Sequence, residues 1–139
     1  MIQKTYHIHD YTEAKLAGVL DEVAAMPEYG SSSQLLLIML EQCWDRACIE
    51  SRIAAVKSRL PKAQIAGATH FDDLQVMDGP VPDNCILTFM FFENPAFEIG
   101  RFELGGAAEE ETGRKLGQMI ARSDDPKCMM TLVSGGPRG

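Results

Sequence analysis

The sequence predicts an α/β fold, a mixed and partly parallel sheet with helices packed on it, forming a single domain over residues 1–139. Three observations carry that reading. A strand, a helix and a second strand follow one another within 34–69, the order of a βαβ unit with a right-handed crossover. Two apolar stretches within 85–104 are joined by a turn short enough to make them an antiparallel hairpin. Amphipathic helical repeats precede, separate and follow these strands.

In chain order, Asp10 and Glu13 have the D-x-x-E spacing of a capping box. Behind them Leu16, Val19, Leu20 and Val23 recur at helical spacing, predicting a helix over 12–26 that Pro27 and Gly30-Ser31-Ser32-Ser33 bring to an end. The run Leu35-Leu36-Leu37-Ile38-Met39-Leu40 is apolar at every position, which suits a strand covered on both faces in the middle of a parallel sheet. A second helix follows with Ile49, Ile53, Val56 and Leu60 on one face and Arg52, Lys57 and Arg59 elsewhere; Pro61 stops it. Residues 64–69 read as the short second strand of the βαβ unit.

From His70 to Asn84 the chain is rich in Asp, Pro and Gly and reads as irregular. Residues 85–92 and 97–104 are then the two hairpin strands, joined by Glu93-Asn94-Pro95-Ala96. In the second strand the apolar phase flips at Gly100, predicting a bulge or bend there. After Gly105-Gly106 a third helix is predicted over 107–122, its acidic start (Glu109, Glu110, Glu111) and its later Arg114, Lys115 and Arg122 agreeing with the helix dipole. A last apolar strand is predicted over 127–133.

Composition narrows the class. Hydrophobic residues make up 45% and charged residues 24%, the balance of a globular chain rather than a disordered or low-complexity one. Lys and Arg number 13 against 20 Asp and Glu, a net charge of −7, which argues against nucleic acid and anionic membranes as partners. The first ten residues lack the apolar stretch of a secretory signal, and no apolar run approaches a membrane span. Cys43, Cys48, Cys85 and Cys128 match no zinc spacing. They read as buried, reduced thiols of a cytoplasmic protein, with a Cys43–Cys48 disulfide as the alternative.

Candidate chemistry concentrates in Gly67-Ala68-Thr69-His70-Phe71-Asp72-Asp73. It follows the second parallel strand, where open α/β sheets place their ligands. Thr69 offers a hydroxyl, His70 a group titrating near neutrality, Asp72 and Asp73 carboxylates, and Gly67 a close backbone approach. The ligand-binding rim is therefore expected at Gly67, Thr69, His70, Asp72 and Asp73, with the plain alternative of a polar loop closing a strand. An enzyme using His70 with Asp72 or Asp73 is a further reading, but no nucleophile elbow or oxyanion glycine motif accompanies it. Elsewhere, His7 and His9 share a face on an extended segment and could bind a metal with Asp10; the simpler reading is an exposed polar face opposite Tyr6 and Ile8. Gly105-Gly106 lacks a phosphate-loop pattern and reads as a turn. Trp44, Phe89, Phe91 and Phe92 read as core aromatics rather than a cavity lining.

One series of residues is familiar as a whole. Gln34-Leu35-Leu36-Leu37-Ile38-Met39-Leu40 leads to a helix ending Leu60-Pro61-Lys62-Ala63. The strand Gln64-Ile65-Ala66-Gly67-Ala68-Thr69, a long loop and a strand pair reaching Phe97-Glu98-Ile99 follow. This order, over about 12–133, resembles the N-terminal part of the FIST sensory domain of bacterial signalling proteins. In that family a helix ending in Leu-Pro precedes a strand of the type Ile-Gly-x-Ser/Thr-Thr. The resemblance implies a non-catalytic, cytoplasmic sensory module that binds a small amino-acid-like molecule and needs no cofactor. It also implies an output domain in the same polypeptide, such as a diguanylate cyclase (GGDEF), an EAL phosphodiesterase, a kinase or a chemotaxis receptor. On this reading 1–139 is a fragment of a longer protein. The alternative is a protein-interaction or homodimerisation module that uses a strand edge or the Met129-Met130 segment.

Overall fold

The structure is a computed structural model and describes residues 1–43, 45–69, 83–102 and 109–132. These fall into two compact units, 1–96 and 97–132. The first contains β1 (Ile2–Ile8), α1 (Glu13–Ala25), α2 (Pro27–Ser31), β2 (Gln34–Glu41), α3 (Arg46–Arg59), β3 (Ala63–Thr69) and β4 (Cys85–Phe92). The second contains α4 (Glu109–Arg122).

The four strands form one sheet in the order β1-β4-β2-β3. β2 and β3 pair in parallel with α3 between them in sequence, so the predicted βαβ unit is present. β4 runs antiparallel to both β1 and β2 and separates them. The sheet is mixed, and the carboxyl ends of β1, β2 and β3 lie at one edge with the start of β4.

One face is built by strict alternation. In β4 the residues Cys85, Leu87, Phe89 and Phe91 are buried, and the intervening residues are half-buried. Leu35, Leu37 and Met39 of β2 are in register with Phe91, Phe89 and Leu87, and partners across a ladder share a face. On this face pack Leu16, Leu20 and Val23 of α1, with Val56 of α3 and the adjoining Leu60. Tyr6 of β1 meets Phe89 edge-on, with ring centroids 5.9 Å apart. The predicted core reading of Phe89 and Phe91 therefore holds, while Trp44 lies outside the described residues.

Several expectations change. The first strand was not anticipated, although Ile2, Tyr6 and Ile8 alternate as a half-buried strand should. Its presence takes the edge of β4 that the predicted hairpin needed. Both hydrogen-bonding edges of β4 are taken, by β1 and β2, so no hairpin partner can be added. Residues 97–102 form no strand, and 103–104 lie outside the described residues. Gly100 is not a bulge; a Cβ there would come within 2.7 Å of Met119 Sδ and 2.8 Å of Phe102 Cε2, so the glycine permits close packing inside the second unit. Residues 127–132 are also not a strand, and Met129, Met130 and Leu132 are exposed.

The helix ends follow local chemistry, with two shifts. Thr12, not Asp10, caps α1: its side chain accepts from the Lys15 amide at 3.2 Å. Asp10 takes a left-handed backbone (φ 48°) in the turn between β1 and α1, a conformation Asp tolerates better than most residues. Pro27 ends α1 but also opens α2, where its missing N–H costs nothing at the first helical position. β2 is fully buried at Leu35, Leu37, Met39 and Glu41 on one face; on the other Ile38 is buried while Leu36 and Leu40 are half-buried, so the second face is covered in part. Met39 and Ala66 to Thr69 bring the sheet to the polar edge described next.

Candidate functional site

The row of side chains closing the helix-covered face is Ile8, Cys85, Glu41 and Thr69, matched in register across all four strands. Glu41 continues the parity of Leu35, Leu37 and Met39, so the same alternation that buries those residues buries a carboxylate, at 3% exposure. Arg52 of α3 meets it from the helix layer and is also 3% exposed. One guanidinium nitrogen, Nη1, donates to Glu41 Oε2, and Nη2 donates to Asp83 Oδ2 at 2.6 Å. The Tyr11 ring lies over the guanidinium, 3.5 Å from its carbon to the ring centre. The Cys85 thiol donates to Glu41 Oε1 at 3.4 Å.

Backbone bonds lock the same edge. The Tyr11 amide donates to the Asp83 carbonyl at 2.7 Å, and the Gln42 amide donates to the Asn84 carbonyl at 3.0 Å. The Asp10 amide donates to Asn84 Oδ1 at 3.1 Å. Lys15 Nζ donates to the carbonyls of His9 at 2.7 Å and Asp10 at 2.9 Å. The turns after β1 and β2 and the approach to β4 are thus tied into one charged corner.

The electrostatics follow from burial. Desolvation opposes the charge of Arg52, but the bonds and charges of Asp83 and Glu41 outweigh it, and the guanidinium pKa is raised. The Cys85 thiol is pushed up from its ordinary range, first by burial and then by the negative charge of Glu41, so it stays protonated. Tyr11 is raised chiefly by burial, with Arg52 pulling the other way. Two carboxylates face one guanidinium, which leaves the corner with a formal charge of −1.

Arg52 Nε, a donor, and Asp83 Oδ1, an acceptor, are out of solvent without a hydrogen-bond partner among the described residues. The Asp83 side chain as a whole is 42% exposed, so its second oxygen faces inward from a group that reaches the surface. Buried polar atoms are normally satisfied, and exceptions call for a partner.

The sequence-predicted residues divide. Thr69 lies on this row, in register with Glu41, and is exposed. Gly67 is also on the polar edge, but its lack of a side chain serves the sheet. A Cβ there would collide with the Met39 carbonyl oxygen and sit 3.2 Å from Met39 Cβ. His70, Asp72 and Asp73 lie outside the described residues. The corner's charged members, Glu41, Arg52 and Asp83, escaped sequence reasoning. Glu41 had the parity of a core residue, and Arg52 stands at the helical spacing of Ile49, Ile53 and Val56, so both signals were available.

Other candidates are plainer. The His7 and His9 rings stack with centroids 6.3 Å apart and are exposed, opposite Tyr6 and the buried Ile8. Among the described residues no three His, Cys, Asp or Glu side chains cluster as a metal site. Of the cysteines only Cys85 is buried; Cys43 is half-buried, and Cys48 and Cys128 are exposed, because they sit on a turn, a helix surface and a segment outside the sheet. Gly105-Gly106 lies outside the described residues.

Fold and corner together define a mixed α/β domain with a buried charged cluster at the carboxyl edge of its sheet. No protein-family model matches the chain, and no curated protein or solved structure is similar enough to mark a relative. Among the described residues no helix is long and apolar enough to cross a membrane.

Proposed function

We propose that this chain is a non-catalytic, cytoplasmic sensory domain that binds a small amino-acid-like or amine-bearing metabolite at the carboxyl edge of its sheet. The observation that carries the reading is the inward pair of Asp83 Oδ1 and Arg52 Nε, buried and without a partner among the described residues. An ammonium group would donate to Asp83, where the corner's charge of −1 favours a cation. A carboxylate or carbonyl would accept from Arg52, and the Thr69 hydroxyl would bond the exposed end of the ligand. Within the FIST-like stretch 12–133, the order β2-α3-β3 is the part that supports the same class, and with it a signalling output such as a diguanylate cyclase in the same polypeptide. His70, Asp72 and Asp73, which come after Thr69 in sequence, are kept in the proposed rim on the sequence reading.

Thermal unfolding against a panel of amino acids and amines tests this. A ligand present at a hundred times its Kd stabilises by about 2.7 kcal/mol, a rise in Tm of roughly 5–10 °C for a domain of this size. The rise should vanish in Asp83→Asn and in Thr69→Val combined with His70→Ala. A panel without a hit overturns the proposal.

A second reading, a dimerisation or interaction module, draws on the exposure of Met129 and Met130, at 56% and 58%. Light scattering separates the two: a concentration-dependent dimer together with an empty panel favours the interaction module.

A further inference from the structure

The second unit contains a cavity of its own, made entirely by residues of 97–132. The segment before α4 runs against the helix, and Gly100 marks their closest approach: a Cβ there would lie 2.7 Å from Met119 Sδ. Beside this contact, segment and helix part around a cavity of about 590 Å³, within the range of about 300–1,000 Å³ for small-molecule sites. On α4 the lining is Lys115, Gln118, Met119 and Arg122, whose i, i+3, i+4, i+7 spacing places them on one helix face. Arg101 and Phe102 line it from the segment. The lining has two characters. Phe102 and Met119 are apolar and half-buried. With them stand three cations, Arg101, Lys115 and Arg122, against one carboxylate, Glu98, a local excess of positive charge in a chain of net charge −7. The Lys115 ammonium is held by Glu111 at 2.9 Å. Arg101 and Arg122 form no ion pair among the described residues, with Glu98 or with any other carboxylate.

We propose that this cavity binds a small organic phosphate monoester, its phosphate held between Arg101 and Arg122 and its apolar body resting on Phe102 and Met119. The planar fork of a guanidinium fits two oxygens of a phosphate at once. A phosphate monoester carries a charge of about −1.5 to −2 near neutral pH, which matches two guanidiniums; a single carboxylate would leave one of them uncompensated. Gln118 adds an amide donor on the same helix face. The carboxyl end of a helix repels an anion, so the attraction comes from these side chains and not from α4 itself. Glu98 opposes it. The chemistry is the reverse of the charged corner's, where two carboxylates face one guanidinium.

Phenyl phosphate is titrated into the isotope-labelled 139-residue chain at low ionic strength, and backbone amide shifts are followed. Saturable shifts should appear at Gly100, Arg101, Phe102, Gln118, Met119 and Arg122. Inorganic phosphate, which lacks the apolar body, should move the same amides with about tenfold weaker affinity, and phenol should give no saturable shift. Arg101→Gln and Arg122→Gln should each weaken phenyl phosphate binding about tenfold, the loss of one charged hydrogen-bonding partner. Arg114→Gln removes the same charge from α4 outside the cavity lining and should leave the affinity unchanged, while Glu98→Gln should strengthen it. All four positions are exposed, so the variants should keep the circular dichroism spectrum of the unaltered chain. The absence of saturable shifts with phenyl phosphate would overturn the proposal. So would equal affinities for phenyl phosphate and inorganic phosphate, or a loss in Arg114→Gln as large as in the two cavity variants.

Discussion

The two ends of the β2–β3 pair are built from the same strands and covered by the same helix, yet they bury opposite chemistry. At the amino end Leu35 faces Ala63, with Val56, Leu60 and Phe91 packed around them, all 3% exposed or less. At the carboxyl end Glu41 faces Thr69, and Arg52, four residues before Val56 on α3, reaches the carboxylate instead of adding to an apolar layer. Burying a leucine side chain stabilises by about 1.5–3 kcal/mol and demands no particular orientation. A buried ion pair roughly offsets its own desolvation and contributes little net stability, but it fixes where its atoms point. One end holds the fold together, and the other spends its burial on positioned donors and acceptors.

Substitutions at the two ends should therefore behave differently. The largest effect is expected from Arg52→Ala, which strands Glu41 as an uncompensated buried charge and should cost about 3–5 kcal/mol in urea unfolding. Replacing both partners, Glu41→Leu with Arg52→Met, should recover most of that loss, because an apolar pair needs no compensation. If the double variant were as unstable as the single, the corner would be a stability element and the contrast would fail.

At the amino end Leu35→Ala should cost about 2–5 kcal/mol by transfer and cavity formation. No charge-removing second substitution should restore it, and the ligand-induced rise in Tm should survive. Gly67→Ala should cost about 1–3 kcal/mol, since its methyl meets the Met39 backbone rather than a yielding side chain. A neutral result in the same unfolding measurement would show that β2 and β3 can part there at no cost.

The smallest effect is a pH dependence. The fold holds the neutral forms of Cys85, raised by burial, and of Tyr6, raised to about 12 by burial and its bond to Glu22. A raised pKa gives stability that is full below the unfolded-state value and is lost as pH rises through the folded one. Urea midpoints should thus be level near neutrality and decline from about pH 9 upward, the ordinary thiol range. The decline should be shallower in Cys85→Ala. A flat profile in the unaltered chain up to pH 11, roughly one unit above the ordinary tyrosine value, would contradict it.

What was legible in the sequence follows the same division. Helix periodicity marked Leu16, Leu20 and Val23, and the uninterrupted run 35–40 marked β2, because apolar burial leaves a repeating signature. The parallel β2–β3 pair followed from the length of the crossover. Strand partnership was less legible. The apolar segment 97–104 looks like a hairpin partner for β4, but β1 and β2 already fill both edges of β4; the described parts of 97–104 and 127–133, residues 97–102 and 127–132, form no strand. At the corner, Thr69 was recognised from its place after a strand. Glu41 falls just past the apolar run 35–40, and Arg52 was set with Lys57 and Arg59 off the apolar face of its helix, so neither was marked as a core position. Asp83 meets Arg52 across 31 residues of sequence, and no local pattern announces that.

The central claim, that the charged corner receives the ligand, is tested most directly by backbone amide chemical shifts. The strongest thermal-shift hit is titrated into labelled protein, and the perturbed residues are mapped. Saturable shifts are predicted at Tyr11, Gln42, Thr69, Asp83 and Asn84, with Leu35, Ala63 and Phe91 at the opposite end unchanged. Shifts confined to the amino end or to 97–132, or shifts at the corner that persist unaltered in Asp83→Asn, would contradict it.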